Sequence, residues 1–315
     1  MALLGVLWFG LDALARDELG APLLVGLLLA CLGSFEALSV IVRSVAKLGA
    51  AAAAADRLLA LATAPASIQD PAVPVAFKPG RLFLENVRFG HDPDHPVLDG
   101  LSLDVPVGHR VAIVGPSGAG KSTLAELVLR LRDPQGGRVL IGATDLHTVR
   151  QEDLHRHVAL LGQSAPVFIG TIRSNLLIAR PDADDAALWQ ALDDAQLGDV
   201  VRSLPDGLDT AMGEAGHSLS TGQARRLCLA RTLLSPAGIL VFDEPTSGLD
   251  RATERAFLAD LARATQGRTV LLITHAELPD GTADAIWRLR DGKLVPQRAS
   301  MPATAVSARL STMST

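Results

Sequence analysis

The 315-residue chain has no tyrosine, only two cysteines and 3% aromatic residues. Without tyrosine, any stacking on a nucleotide base has to use another ring. Cys31 and Cys228 lie far apart in apolar runs, with no His or Cys nearby at metal-ligand spacing. That excludes a disulfide framework and fits free, buried thiols in a reducing compartment. No basic run occurs, the formal net charge is −5 and the isoelectric point is about 5.9, so nucleic acid is not expected as a partner. No internal repeat is present.

What the chain has in excess is apolar sequence at its start. The mean hydropathy is +0.28. Residues 1–15 are apolar but too short to span a bilayer. They lack the basic n-region and small-residue cleavage site of a signal peptide. Leu19 to Val42 is apolar except for Ser34, Glu36 and Ser39, and its length predicts one transmembrane helix. Arg43 and Lys47 follow at once and mark the cytoplasmic side. Glu36 is a functional candidate as an acid within the span. It shares a helical face with Arg43, and it either lines a substrate path or snorkels to the interface. An alanine-rich stretch continues the helix to residue 63. The segment from Ala64 to Gly80 is Pro-rich, aperiodic and reads as a linker.

From Arg81 short β-rich runs alternate with helical ones. The runs ending at Gly115, Glu244 and His275 are almost wholly apolar, as strands buried on both faces are. Between Gly170 and Leu234 the pattern is mostly helical. Residues 296–315 are rich in Ser, Thr and Ala and are expected to be disordered.

"GPSGAGKST", Gly115 to Thr123, joins an apolar strand to a helix and fits the phosphate-binding pattern G-x-x-x-x-G-K-[ST]. Its glycines allow backbone N–H groups to turn around phosphates. Lys121 supplies a cation for the β- and γ-phosphates, and Ser122 an oxygen ligand for Mg²⁺. Asp243 and Glu244 end another buried strand, at the sheet edge where such folds place ligands. They are candidates for Mg²⁺ and for the attacking water. His275 and Gln163 end two further strands. The first is a candidate γ-phosphate contact, the second a sensor reaching Mg²⁺ or the water. In "SLSTGQ", Ser220 is positioned to cap a helix whose start is a second anion-ready site.

In this order the motifs resemble the nucleotide-binding domain of ABC transporters: "GPSGAGKST" (Walker A), "LLGQ" (Q-loop), "LSTGQ" (signature), "ILVFDE" (Walker B), "SGLD" with Asp250 (D-loop) and "LLITH" (switch histidine). The resemblance covers Arg81 to Val295. It implies an α/β P-loop NTPase fold with a β-subdomain and a helical subdomain, preceded by a transmembrane α-helix. It further implies ATP with Mg²⁺ bound by Gly115, Pro116, Ser117, Gly118, Ala119, Gly120, Lys121, Ser122 and Thr123. Catalysis would fall to Glu244, His275, Lys121 and Gln163, and the metal to Ser122, Gln163 and Asp243. Two such domains pair head to tail in this family, so Ser220, Thr221, Gly222 and Gln223 would serve the partner's ATP. The family's common signature has Gly where Thr221 stands, and its adenine-stacking Tyr corresponds to His91. That ring either stacks on the base or is a loop histidine with no role.

"PVFIGTIRSNLLIA" resembles the exporter branch, in which "GEAG" (213–216) would be a coupling loop. The stretch from Ala21 to Leu58, together with "GEAGHSLSTGQARRLCLARTLL", is most similar to the C-type subunit of the heterodimeric thiol exporter tied to cytochrome bd assembly. That similarity implies export of glutathione or cysteine at the bacterial inner membrane, with a second half-transporter and the lipid bilayer as partners. Exporters of lipids, drugs or peptides share most of these motifs. A non-catalytic regulatory fragment and a soluble mechanical ABC ATPase are the rivals from other classes. Because such half-transporters carry six transmembrane helices, the chain is expected to be a C-terminal piece of one.

Overall fold

The computed structural model describes residues 2–64, 66, 68–92, 95–213 and 219–299. The chain divides into two compact units, 1–66 and 67–315.

The first unit is helical, with α1 (Ala2–Ala15) and α2 (Ala21–Thr63). Pro22 stands in the first turn of α2, where its missing N–H costs nothing. Gly10 lets α1 close on α2, since a Cβ there would lie 2.1 Å from Leu24 Cδ1. From Ala21 onward the expected transmembrane segment falls within α2. Among the described residues, however, no helix is long and apolar enough to cross a membrane. The side chains of residues 38 and 40–42 of that segment lie outside the described residues. Arg43 bonds Ser39 Oγ at 3.2 Å, one turn away.

The second unit contains twelve strands and seven helices among the described residues: β1 (Leu82–Phe89), β2 (Leu98–Val105), β3 (Arg110–Val114), α3 (Lys121–Val128), β4 (Gly136–Ile141), β5 (Thr144–Asp145), α4 (Gln151–His155), β6 (Val158–Leu161), β7 (Gly170–Thr171), α5 (Ile172–Leu177), α6 (Asp185–Asp194), α7 (Gly198–Arg202), β8 (Ala211–Met212), α8 (Thr221–Leu234), β9 (Ile239–Asp243), α9 (Arg251–Ala264), β10 (Thr269–Thr274), β11 (Ala285–Arg290) and β12 (Lys293–Ala299). One sheet is antiparallel in the order β2-β1-β4-β5. The other has the order β12-β11-β3-β10-β9-β6 and is parallel except for β12.

The central strands are apolar throughout because successive residues serve two different cores. Val111, Ile113, Val241, Leu271 and Ile273 face a core shared with α3 and the antiparallel sheet. Ala112, Leu240, Phe242, Val270 and Leu272 face the one built with α5, α6, α8 and α9. The parallel register then brings the ends of β3, β6, β9 and β10 to one edge.

The structure adds detail to three expectations. The chain from Gln69 to Gly80 has no regular structure but is pinned: Arg130 donates to the Gln69 carbonyl at 3.0 Å, Val75 N–H to the Thr148 carbonyl at 2.8 Å, and Phe77 stacks on His157 at 4.3 Å. The ordered chain also passes residue 295, because β12 pairs with β11 through Ala299; residues 300–315 lie outside the described residues, as do 214–216 of the expected coupling loop. Cys228 is buried, whereas Cys31 is only partly so.

Candidate functional site

The apolar strand β3 ends in the loop Gly115–Gly120, and α3 begins at Lys121. Gly118 and Gly120 take φ of 78° and 95°, the left-handed region that costs other residues strain. At Gly120 space is decisive as well: a Cβ would lie 2.5 Å from Val97 Cγ1. The loop therefore curls over the start of α3 with its main chain bare.

Lys121 is only 6% exposed. Its Nζ donates to the carbonyls of Gly115 and Pro116, each at 3.0 Å, and stands 3.3 Å from Glu244 Oε1. A buried ammonium needs such partners. Glu244 follows β9 in a left-handed conformation, φ 50°, anchored by its N–H on the Ile273 carbonyl at 2.8 Å. Strain of this kind, of order 1–3 kcal/mol, gathers at functional sites. The other carboxylate oxygen, Oε2, contacts His275 Nδ1 and accepts from the His275 N–H at 3.3 Å. Lys121, Glu244 and His275 thus form one chain of charge contacts across the ends of β3, β9 and β10.

Ser122 Oγ donates to Asp243 Oδ1 at 3.3 Å. Burial pushes the Asp243 carboxyl above its ordinary pKa of 3.8; the Ser122 bond opposes this and the neighbouring Glu244 charge adds to it. A hydroxyl and a carboxylate at this spacing are a hard-oxygen donor pair of the kind Mg²⁺ prefers. Gln163, after β6, donates through Nε2 to Ser247 Oγ at 3.4 Å.

A cavity of about 470 Å³ collects His91, Val97, Ser117, Gly118, Gly120, Lys121, Ser122, Thr123, Gln163, Glu244 and His275. Gly115, Pro116 and Ala119 do not line it; the first two carbonyls face Lys121 instead. His91 meets Phe89 edge-on at 5.3 Å. A larger cavity of about 770 Å³ is lined by Gly115 and Pro116 and shares His275 with the first, but it lacks Lys121 and Gly118–Gly120.

Ser220 Oγ accepts from Gln223 N–H at 3.2 Å, and Gln223 Oε1 accepts from Ser220 N–H at 2.9 Å. This reciprocal cap starts α8; the N–H groups of Thr221 and Gly222 belong to its first turn, where no acceptor exists within the helix. None of Ser220–Gln223 lines the cavity that holds Lys121. Asp250 caps α9, accepting from Ala252 and Thr253 N–H at 3.0 and 3.1 Å; the Thr253 hydroxyl, with these bonds, holds its carboxyl below the usual range.

Residues 98–247 match the ABC transporter family. The chain carries an ABC transporter ATPase domain. It is 40% identical over 221 residues to the mitochondrial iron–sulfur clusters transporter ATM1 of Candida albicans, covering 70% of this chain and 30% of that one. It is 39% identical over 246 residues to the ATP-dependent lipid A-core flippase of Ralstonia nicotianae, covering 77% and 42%. Among solved structures it resembles a bacterial Atm1-family ABC exporter with ATP bound, with TM-score 0.70 and 33% identity, over 94% of this chain and 53% of that one. The chain spans less than half the length of these curated relatives. Because the ATPase unit is about four fifths of the chain, a structural likeness over 94% takes in residues of the helical unit too.

An ATPase domain of this family implies ATP binding, typically with Mg²⁺, and the residues present fit both: a bare glycine turn, one buried lysine, and the Ser122–Asp243 pair. Sequence reasoning assigned no role to Val97, which closes the glycine turn from the side, or to Arg225, which holds the turns after β6 and β9.

Proposed function

We propose that this chain binds and hydrolyses ATP as one subunit of an exporter-type ABC transporter in a bacterial inner membrane. One observation carries the reading: Lys121, Ser122, Gln163, Glu244 and His275 line one cavity at a common strand edge. Lys121 and the loop N–H groups bind the phosphates, Glu244 orients the attacking water, and His275 holds both Glu244 and the γ-phosphate. Ser122 and Asp243, with Gln163, would hold Mg²⁺, which would supply charge neutralisation on the phosphates. His91 meets the base. Most of the rate gain comes from positioning and preorganised charge.

The capped start of α8 is the second half of a site. Its first-turn N–H groups, away from the Lys121 cavity, serve the nucleotide bound by a paired half-transporter, as the matching motif of that partner serves the ATP at Lys121. The partner is a different chain in our reading, since Thr221 gives this subunit an altered signature. The helical unit contacts the bilayer: Trp8 and Phe9 are 75% exposed and Leu29 is 63% exposed, a surface that water alone does not favour. The cargo we propose is a thiol compound such as glutathione or cysteine, on the resemblance carried by Ala21–Leu58 and the signature segment. The names of the relatives favour a second reading, a lipid or an iron–sulfur-derived cargo.

ATP hydrolysis by the chain with its partner tests the core of the reading. Lys121→Ala and Glu244→Gln should each lower kcat by at least about 100-fold while leaving the fold intact. Hydrolysis that survives both changes would refute the assignment. Stimulation by glutathione but not by lipid A separates the two cargo readings.

A further inference from the structure

Three segments that approach the cavity from distant parts of the chain meet at one guanidinium. Arg225, in the second turn of α8, donates through Nη1 to the Gly162 carbonyl at 3.3 Å, and through Nη2 to the carbonyls of Gln163 and, at 3.4 Å, Ser247. Gln163 lines the cavity and bonds Ser247 Oγ through its own side chain. The Ser247 N–H donates to the Glu244 carbonyl at 3.1 Å. The turn after β6, the turn after β9 and the start of α8 therefore share one side chain.

The acceptors are main-chain carbonyls, so Arg225 fixes where backbone runs; it does not balance a charge. A planar fork of five N–H donors reaches three such acceptors at once, whereas an ammonium on a flexible stem does not hold the same geometry. The adjacent Arg226 makes a separate set of bonds, to Asp260 Oδ2 at 2.6 Å and the Ala195 carbonyl at 3.1 Å, and ties α8 to α9. With α8 held on both sides, Ser220–Gln223 at its start move as the helix moves. Among the described residues that line the cavity, Gln163 alone has a hydrogen bond to Arg225.

We infer that Arg225 is a positioning residue that couples Gln163 to the start of α8, so that nucleotide held at Lys121 adjusts the anion-binding helix end this chain offers to its partner's nucleotide. The inference rests on the paired-site reading above. It adds a route between the two ATP sites within one chain: cavity, Gln163 turn, guanidinium, signature helix.

Amide hydrogen exchange on the full chain, with and without a non-hydrolysable ATP analogue and Mg²⁺, tests it. In the wild type the analogue should slow exchange in three places: around Lys121, at 161–165 and at 221–226. In Arg225→Met the first response should persist, and the response at 221–226 should fall by about 5-fold, the scale of coupling a single contact carries. Arg225→Lys, which keeps the charge and serves if the Met variant is unstable, should lose more than half of the same response. Affinity for a fluorescent ATP analogue should stay within about 2-fold in both, since neither change touches the phosphate loop. In the assembled pair, the Hill coefficient for ATP should drop toward 1. An unchanged response at 221–226 in both variants would overturn the inference. A wild type in which the analogue protects nothing around Lys121 would instead overturn the nucleotide-site reading, and this inference with it.

Discussion

Asp243 has the least comfortable position of the site's charged groups. It ends a strand whose other residues are fully buried, it has one hydroxyl donor, and Glu244 stands next to it. Burial raises its pKa above 3.8. The sign of the effect on stability follows. The folded protein holds this proton more tightly than the unfolded chain does, so the stabilisation is complete below about pH 3.8 and is lost as pH rises through the raised native value. At neutral pH the ionised carboxylate is therefore a cost. Asp243→Asn should melt above the wild type at pH 7, by about 2–4 °C if the cost is near 1 kcal/mol, and the gap should close near pH 4. Mg²⁺ favours the ionised form, so it should raise the melting temperature of the wild type and leave the variant unchanged. A gap that is the same at both pH values would show that the ionised carboxylate is not its source. The same substitution should abolish Mg²⁺-dependent hydrolysis, since stability and function make opposite demands on this residue.

Among the elements, what the sequence revealed and what it hid have separate physical causes. Strands β3, β9 and β10 were legible because burial on both faces leaves an unbroken apolar run, and the glycine–lysine loop because it must adopt left-handed turns. The cap at Ser220 was legible because its partner lies three residues away. Strands β5, β7 and β8 were not, since two residues carry no period. Nor was Arg130, whose partners are dispersed along the chain. It ends the phosphate-loop helix with φ 49° and 1% exposure. It donates to the Val149 carbonyl at 2.6 Å, to Asp133 Oδ1 at 3.2 Å and to the Gln69 carbonyl, 61 residues earlier. Arg130→Ala strands two carbonyls without a donor. It should lower stability by about 3 kcal/mol, the combined loss of several charge-assisted bonds in a buried place. The segment from Gln69 to Val75 should also come loose, seen as faster exchange of the Val75 amide. If only global stability falls, with no selective change at Val75, Arg130 supports the core and does not anchor this segment.

For the whole molecule the decisive residue is Thr221, because its effect belongs to the proposed assembly of two chains. It occupies the first position of α8, exposed, between a capping serine whose hydroxyl is committed to Gln223 and a glycine whose would-be Cβ meets, among the described residues, only Thr253 Cγ2 within 4 Å. The bare surface near an incoming phosphate is thus at Gly222, while Thr221 adds a stiff β-branched side chain beside it. In the proposed pairing the altered signature faces the partner's nucleotide, whereas a nucleotide at Lys121 has Glu244 and His275 in place. The two ATP sites of the pair should then differ: the one completed by Thr221 turns over slowly, and the one built on Glu244 does most of the work. Glu244→Gln in this chain should remove nearly all hydrolysis, and the matching change in the partner should remove little. Thr221→Gly should speed the slow site by roughly 10-fold, equivalent to about 1.4 kcal/mol of barrier. With that variant in place, the two glutamate changes should cost more nearly the same. Equal losses from the two changes on the wild-type background would mean that Thr221 leaves the loop competent and that the pair works symmetrically.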